Sequence, residues 1–247
     1  MPSLTLLAAT LAGFLDTVPP AAVPQKDAWC APGIESLPND VCYLNGTGDD
    51  TKMERRTLVI FLHGAVAKNT TWQWNHMRGM VPLAKGDKIE ILFPRSPKSD
   101  VGFVWPGSVA SQEKVEEELA AQWMNAKRIL EDRRGRKFDE VFVMGFSSGA
   151  YFTSSLAMRG RLDVDGYAVF AGGQPGVAPA KPVDHFAPVF VGVCSNDETS
   201  ATHARAFAGS LSFAGIPRRV VEQPVGHGLS SVHFNSALHY LRHAHAR

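Results

Sequence analysis

Gly145-Phe146-Ser147-Ser148-Gly149 sets a serine between two glycines, each two positions away, directly after the apolar run Val141–Gly145. The pattern G-x-S-x-G suits a sharp turn from a strand into a helix, in which the central residue takes a strained backbone conformation and its hydroxyl is lifted above the sheet. Small residues two places before and after it avoid a clash. A helix starting at this point turns free N–H groups and its positive dipole end toward any anion formed there. The chemistry open to such a serine is attack on an acyl carbon, with Ser147 as nucleophile and the Ser148 N–H facing the oxyanion. The same five residues also suit a glycine-rich turn that only has to bend.

A serine hydroxyl is a weak nucleophile at neutral pH and needs an imidazole to take its proton, and the imidazole needs an orienting carboxylate. The segment "PVFVGVC" runs into "SNDE", setting Asp197 just past a strand end. The segment "RRVVEQP" runs into "VGHGLS", setting His227 between Gly226 and Gly228. The order Ser, acid, His along the chain is the order this turn requires. Taken singly, Asp197 reads as a helix N-cap and His227 as a loop histidine. Glu198, Asp184, His185 and His233 compete for the roles, but Asp184 and His185 precede a strand and His233 falls within the last helix. A second oxyanion donor is expected from "FLHGAVAKN", where Gly64 allows close backbone approach. Ala65 is the first choice for that donor and Val66 the second, with His63 bracing the loop by hydrogen bonds.

These side chains need a scaffold that ends several strands at one edge. Six segments, 57–64, 89–95, 139–147, 167–172, 188–194 and 218–224, read as buried strands; most are near-continuous apolar runs, the pattern of strands covered on both faces, hence a largely parallel sheet between helical layers. The intervals carry helical patterns. The clearest runs from Ser111 to about Arg133, with Val115, Leu119, Trp123, Ala126 and Leu130 on one face, Glu113, Glu116, Glu117 and Glu118 early and Lys127, Arg128 and Arg133 late. Others follow Ser147, span Ala201 to Phe213 and span Ser230 to Arg242. Strand and helix alternate, so the class is α/β. "VCYLNG" is expected to add an antiparallel edge strand.

The 247 residues fit one large domain, and 45% hydrophobic with 20% charged residues is the composition of a globular chain. A formal net charge of +1 leaves no excess to hold a nucleic acid or an anionic membrane surface. Cys30 and Cys42 are spaced to close a local disulfide in a Pro/Gly-rich stretch, and Cys194 lies in an apolar run as a buried small hydrophobe. "LTLLAATLAGFL" resembles a signal-peptide core but no basic residue precedes Lys26; an apolar extension packed on the domain is the other reading. The run is too short to span a membrane. Asn69 heads the sequon "NTT", and His239, His243 and His245 suit a helix C-terminus electrostatically.

With "LHGA", "GFSSG", "SND" and "GHG" in this order, the chain resembles an α/β-hydrolase over roughly residues 40–247, following an N-terminal segment 1–39. It is most similar to the compact branch of carboxylesterases, phospholipase-like enzymes and polyhydroxybutyrate-depolymerase- or feruloyl-esterase-like proteins. The resemblance implies a mostly parallel sheet with helices on both faces and no large cap domain. It also implies a Ser147–Asp197–His227 triad, Ala65 and Ser148 as oxyanion donors, no metal or organic cofactor, and a small-molecule or polymeric ester as substrate. One departure is the acid loop, since "GVCSND" is longer than the usual "G-x-x-D" turn. Trp72, Trp74 and Trp105, with Phe103, lie in loops expected at the catalytic edge, as walls of an acyl pocket or as packing beneath the loops. A serine peptidase or amidase of the same fold, and a non-catalytic binding protein that keeps the turn, stand as alternatives. The disulfide suits a secreted or periplasmic protein, against a cytoplasmic alternative.

Overall fold

A computed structural model describes residues 28–48, 54–179 and 186–245. The signal-like run 4–15 and the alternatives Asp184 and His185 lie outside the described residues. In chain order the elements are β1 (Glu35–Leu37), β2 (Val41–Asn45), β3 (Thr57–Leu62), β4 (Val66–Ala67), α1 (Trp72–Asp87), β5 (Glu90–Pro94), β6 (Gly102–Phe103) and α2 (Val109–Arg134). There follow β7 (Glu140–Phe146), α3 (Ser148–Arg159), β8 (Gly166–Phe170), β9 (Val189–Cys194), α4 (Glu198–Phe213), β10 (Arg218–Gln223) and α5 (Ser231–His245).

Runs of apolar residues without alternation need cover on both sides, and the sheet supplies it. Eight strands pair in the order β1-β2-β5-β3-β7-β8-β9-β10. Neighbours from β5 to β10 are parallel, while β2 runs antiparallel to both β1 and β5. Along β3, Leu58, Ile60 and Leu62 join a core with Trp123 of α2, Phe152 of α3 and Phe207 of α4. The alternate residues Val59 and Phe61 join a second core with Met77 of α1 and Phe234 of α5. Each such side chain contributes about 1.5–3 kcal/mol by leaving water, so a strand loaded on both faces is fixed in register from both sides.

The six expected strands are all present, each slightly shorter, but β10 is a mostly exposed strand at the sheet edge rather than a buried one, because only β9 pairs with it. Four further features differ from expectation. "VCYLNG" forms β2, which is antiparallel but interior, because β1 pairs outside it. The helix expected from Ser111 starts at Val109, since Ser108 and Ser111 form a reciprocal capping box: each side chain accepts the other's backbone N–H at 3.2 Å. Its early glutamates lie beyond the first turn, and Glu116 is buried in an ion pair with Arg159 of α3 rather than complementing the helix dipole. The folded body also starts before residue 40. Cys30 and Cys42 are joined in a disulfide, and Trp29, held beside it, tilts onto His63 at 4.9 Å and Phe103 at 5.2 Å. Closing a loop of separation 12 is worth about 3 kcal/mol in chain entropy. Among the described residues no helix is long and apolar enough to cross a membrane.

At the end of the sheet opposite the serine, Arg56 and Glu90 are buried together. The Arg56 Nε and Nη2 donate to the two Glu90 oxygens at 2.7 and 3.1 Å, and Tyr43 Oη donates to Glu90 Oε2 at 2.5 Å. Arg56 also donates to the Arg136 and Leu130 carbonyls and lies over the Phe138 ring.

Candidate active site

β7 ends in the glycine-flanked serine, and the local backbone is strained there. Ser147 has φ 52° and ψ −120°, a region that costs a non-glycine residue about 1–3 kcal/mol. The conformation is held by the Ser147 N–H donating to Phe170 O at 3.0 Å and the Ala150 N–H donating to Ser147 O at 2.8 Å. The flanking glycines are needed for close approach. A Cβ on Gly145 would lie 2.3 Å from Gly149 O and from Thr153 Oγ1, and one on Gly149 would lie 2.2 Å from Leu62 O. Ser148 opens α3, so its N–H has no intrahelical acceptor.

Asp197 meets both a helix N-terminus and an imidazole. It is the N-cap of α4, accepting the Ser200 N–H at 3.4 Å, and its Oδ2 accepts from Ser200 Oγ and from His227 Nδ1, each at 2.5 Å. The Ser200 hydroxyl, then His227, hold its carboxyl below the usual carboxylate range. On the other side of the ring, His227 Nε2 lies 2.8 Å from Ser147 Oγ. With Nδ1–H donated to a carboxylate, Nε2 is left as the acceptor for the serine proton. Backbone pairing continues past β9 and β10 to hold the two loops in step: Ser195 N–H donates to Gln223 O at 2.9 Å and Asn196 N–H to Val225 O at 3.1 Å. The Asn196 amide adds a bond to Pro224 O at 2.8 Å, and the Cys194 thiol one to Gly228 O at 3.3 Å. Of the competitors, Glu198 is exposed on the first turn of α4. His233 is buried in α5, stacked on Phe170 at 6.4 Å.

The loop after β3 passes directly over the serine. A Cβ on Gly64 would lie 3.2 Å from Ser147 Cβ, and Ala65, the next residue, is exposed. His63 braces this loop as expected from the sequence. Its Nδ1–H donates to Gly64 O at 2.5 Å and its Nε2 accepts the Ser96 N–H at 3.1 Å. Trp105 Nε1–H donates to His63 O at 2.8 Å. Burial pushes the His63 pKa down to about 4. The unfolded chain therefore takes a proton near pH 6.5 that the folded protein refuses, so stability is lost as pH falls from about 6.5 through about 4. The difference amounts to about 3 kcal/mol. His76 and His233, whose pKa values burial also lowers, add slopes of the same sign. Urea midpoints measured between pH 7 and pH 4 should fall less in His63→Gln than in the parent; an unchanged slope assigns the acid loss to other groups.

The three tryptophans separate. Trp74 and Trp105 are 7% and 1% exposed. Trp74 Nε1–H donates to Ala28 O and Trp29 O, and Trp105 stacks on Phe152 at 5.5 Å. Both are packing residues, since an indole can bury its ring once its N–H finds a backbone carbonyl, and Trp72 and Trp74 lie in the first turn of α1 rather than in the expected loop. Trp72 is 39% exposed. It lies on His76 at 3.9 Å, His76 leans on Phe146 at 5.6 Å, and Phe146 leans on the His227 ring at 5.3 Å. His76 went unnoticed in the sequence. Its signal is the i, i+4 spacing from Trp72, readable only once α1 is recognised.

No family model matches the chain, and no curated protein sequence matches it. Solved structures do. The chain is similar to YahD, a structure containing malic acid, at 15% identity and a TM-score of 0.60, over 82% of this chain and 98% of that one. It is similar to a carboxylesterase from Mesorhizobium loti at 19% identity and a TM-score of 0.58, over 85% and 98%. A Bacillus cereus carboxylesterase aligns at 16% identity with a TM-score of 0.57, over 83% and 93%. With this strand order, these crossovers and these structural neighbours, the chain has the α/β-hydrolase fold.

Proposed function

We propose that the protein is a serine hydrolase that cleaves carboxylic esters through an acyl-enzyme intermediate. The observation that carries this reading is the unbroken chain of hydrogen bonds from Asp197 through His227 to Ser147, at 2.5 and 2.8 Å. His227 Nε2 takes the Ser147 proton as Oγ bonds to the ester carbonyl carbon, and Asp197 stabilises the imidazolium. The oxyanion is met by the N–H groups of Ala65 and Ser148; each such donor lowers the barrier by about 3 kcal/mol. Collapse breaks the C–O bond, and the departing alkoxide leaves as alcohol with the proton from His227. Water then attacks the acyl carbon, gives its proton to His227, and the acid departs as Ser147 recovers its proton. None of these steps draws on a metal or organic cofactor.

The half-exposed Trp72 face, continuous through His76 and Phe146 to His227, suits an apolar or aromatic part of the ester. The catalytic unit includes the disulfide loop together with residues 40–247, and that disulfide supports a secreted or periplasmic setting. Folded protein treated with a fluorophosphonate is expected to carry the label on the Ser147 peptide. It is also expected to hydrolyse short p-nitrophenyl esters far faster than matched anilides. Faster anilide cleavage would make it an amidase or peptidase, and an unlabelled Ser147 would leave only a binding protein.

A further inference from the structure

Beside the β4–β6 ribbon lies a cavity of about 380 Å³. Lys68, Arg95 and Lys98 line it together with Trp29, Gln73 and Phe103, and among the described residues no carboxylate does. Arg95 is paired with Asp40 and sits over the Phe103 ring, whereas Lys68 and Lys98 form no ion pair among the described residues. Like charges gathered around one hollow raise its potential, and low-dielectric walls focus it. One further lining residue, Trp29, carries a donor, Nε1, without a partner among the described residues. Its side chain is more than nine-tenths buried, at 6% exposure.

The position matters as much as the charge. β4 begins immediately after Ala65 and runs into Lys68, and an extended chain advances about 3.3 Å per residue, so Lys68 stands on the order of 10 Å from Ala65. The two strands of the ribbon lie close together, since a Cβ on Gly102 would lie 2.0 Å from Val66 O. The cavity wall Trp29 also touches the His63 ring that holds the Ala65 loop.

We infer that this cavity is a subsite for an anionic group, a carboxylate, phosphate or sulfate, carried by the ester at some distance from its scissile carbonyl. The inference rests on the ester-hydrolase reading and narrows its substrate class. Two partly exposed ion pairs of ordinary strength correspond to about a 10-fold preference.

Two p-nitrophenyl esters with acyl chains of equal length, octanoate and the half-ester of octanedioate, differ only in a terminal methyl or carboxylate. At low salt the charged ester is expected to show about a 10-fold higher kcat/KM, expressed in KM. The ratio should fall toward one in Lys68→Ala/Lys98→Ala, return in Lys68→Arg/Lys98→Arg, and shrink in molar salt. Calorimetric titration of the Ser147→Ala protein with each of the two esters reads binding apart from turnover, so a protein that cleaves neither ester still reports on the cavity. Equal kcat/KM and equal affinity for the two esters overturn the subsite, as does a preference that survives the double alanine variant. Inhibition by free sulfate with no preference between the esters would mark a separate effector site and likewise overturn it.

Discussion

Ser147→Ala is expected to lower turnover of an activated ester on the order of a millionfold, with the melting temperature unchanged within a few degrees. The hydroxyl is the only atom group removed. It touches His227 Nε2 and takes no part in the core, so its loss removes the bond-forming atom and leaves the packing of β7 and α3 in place. The turn stays formed because Gly145 and Gly149 still admit the close approach of α3 to β3. In the proposed mechanism the three side chains act as one unit, so Ser147→Ala/His227→Ala should be scarcely slower than the single variant. Asp197→Asn should cost about 10⁴-fold by favouring the wrong imidazole tautomer. Steady-state assay with p-nitrophenyl acetate, with circular dichroism as the fold control, decides the matter. A Ser147→Ala protein retaining a tenth of parental activity would remove this serine from the mechanism.

The largest loss of stability is expected at the other end of the sheet. Arg56→Met strips Glu90 of its two charged donors while Glu90 stays 1% exposed. Removing one partner of a buried pair costs about 3–5 kcal/mol, because the remaining charge has no compensation. For a chain of this size that is a fall in melting temperature of about 6–20 °C. The comparison that isolates the cause is the triple variant Arg56→Met/Glu90→Leu/Tyr43→Phe, which removes charge, acceptor and donor together and should regain the larger part of the loss. The Arg136 and Leu130 carbonyls, which also accept from Arg56, account for what is not regained. Equal stability of single and triple variants in a denaturant titration would show that packing, not charge, sets the cost.

The parts of this fold that the sequence reveals are those whose residues answer to a single environment. β3, β5, β7, β8 and β9 are buried on both faces, so they read as unbroken apolar runs. The serine and the aspartate each follow such a run, the histidine follows the exposed edge strand β10, and the ends of these parallel strands meet at one edge. α1 escaped because Gly79, Pro82 and Gly86 interrupt it, and its buried side includes Gln73. The pairs β1, β4 and β6 are two or three residues long, too short for any periodicity. Side-chain direction at the start of α1 was the other blind spot. Nothing in "TTWQWNHM" distinguishes an indole turned to water from one turned inward, and the backbone carbonyls that captured Trp74 come from Ala28 and Trp29, distant in the chain. Asp197 shows a milder form of this: its two readings looked like rivals, yet a carboxylate has lone pairs enough to cap a helix and hold an imidazole at once.

The Cys194 thiol sits beneath the arm that carries His227, donating to Gly228, with burial foremost in pushing its pKa up. A soluble disulfide reagent meets this sulfur only while the arm is lifted. Its capture rate in native buffer is therefore a stopwatch for excursions of the histidine away from the serine, independent of any substrate.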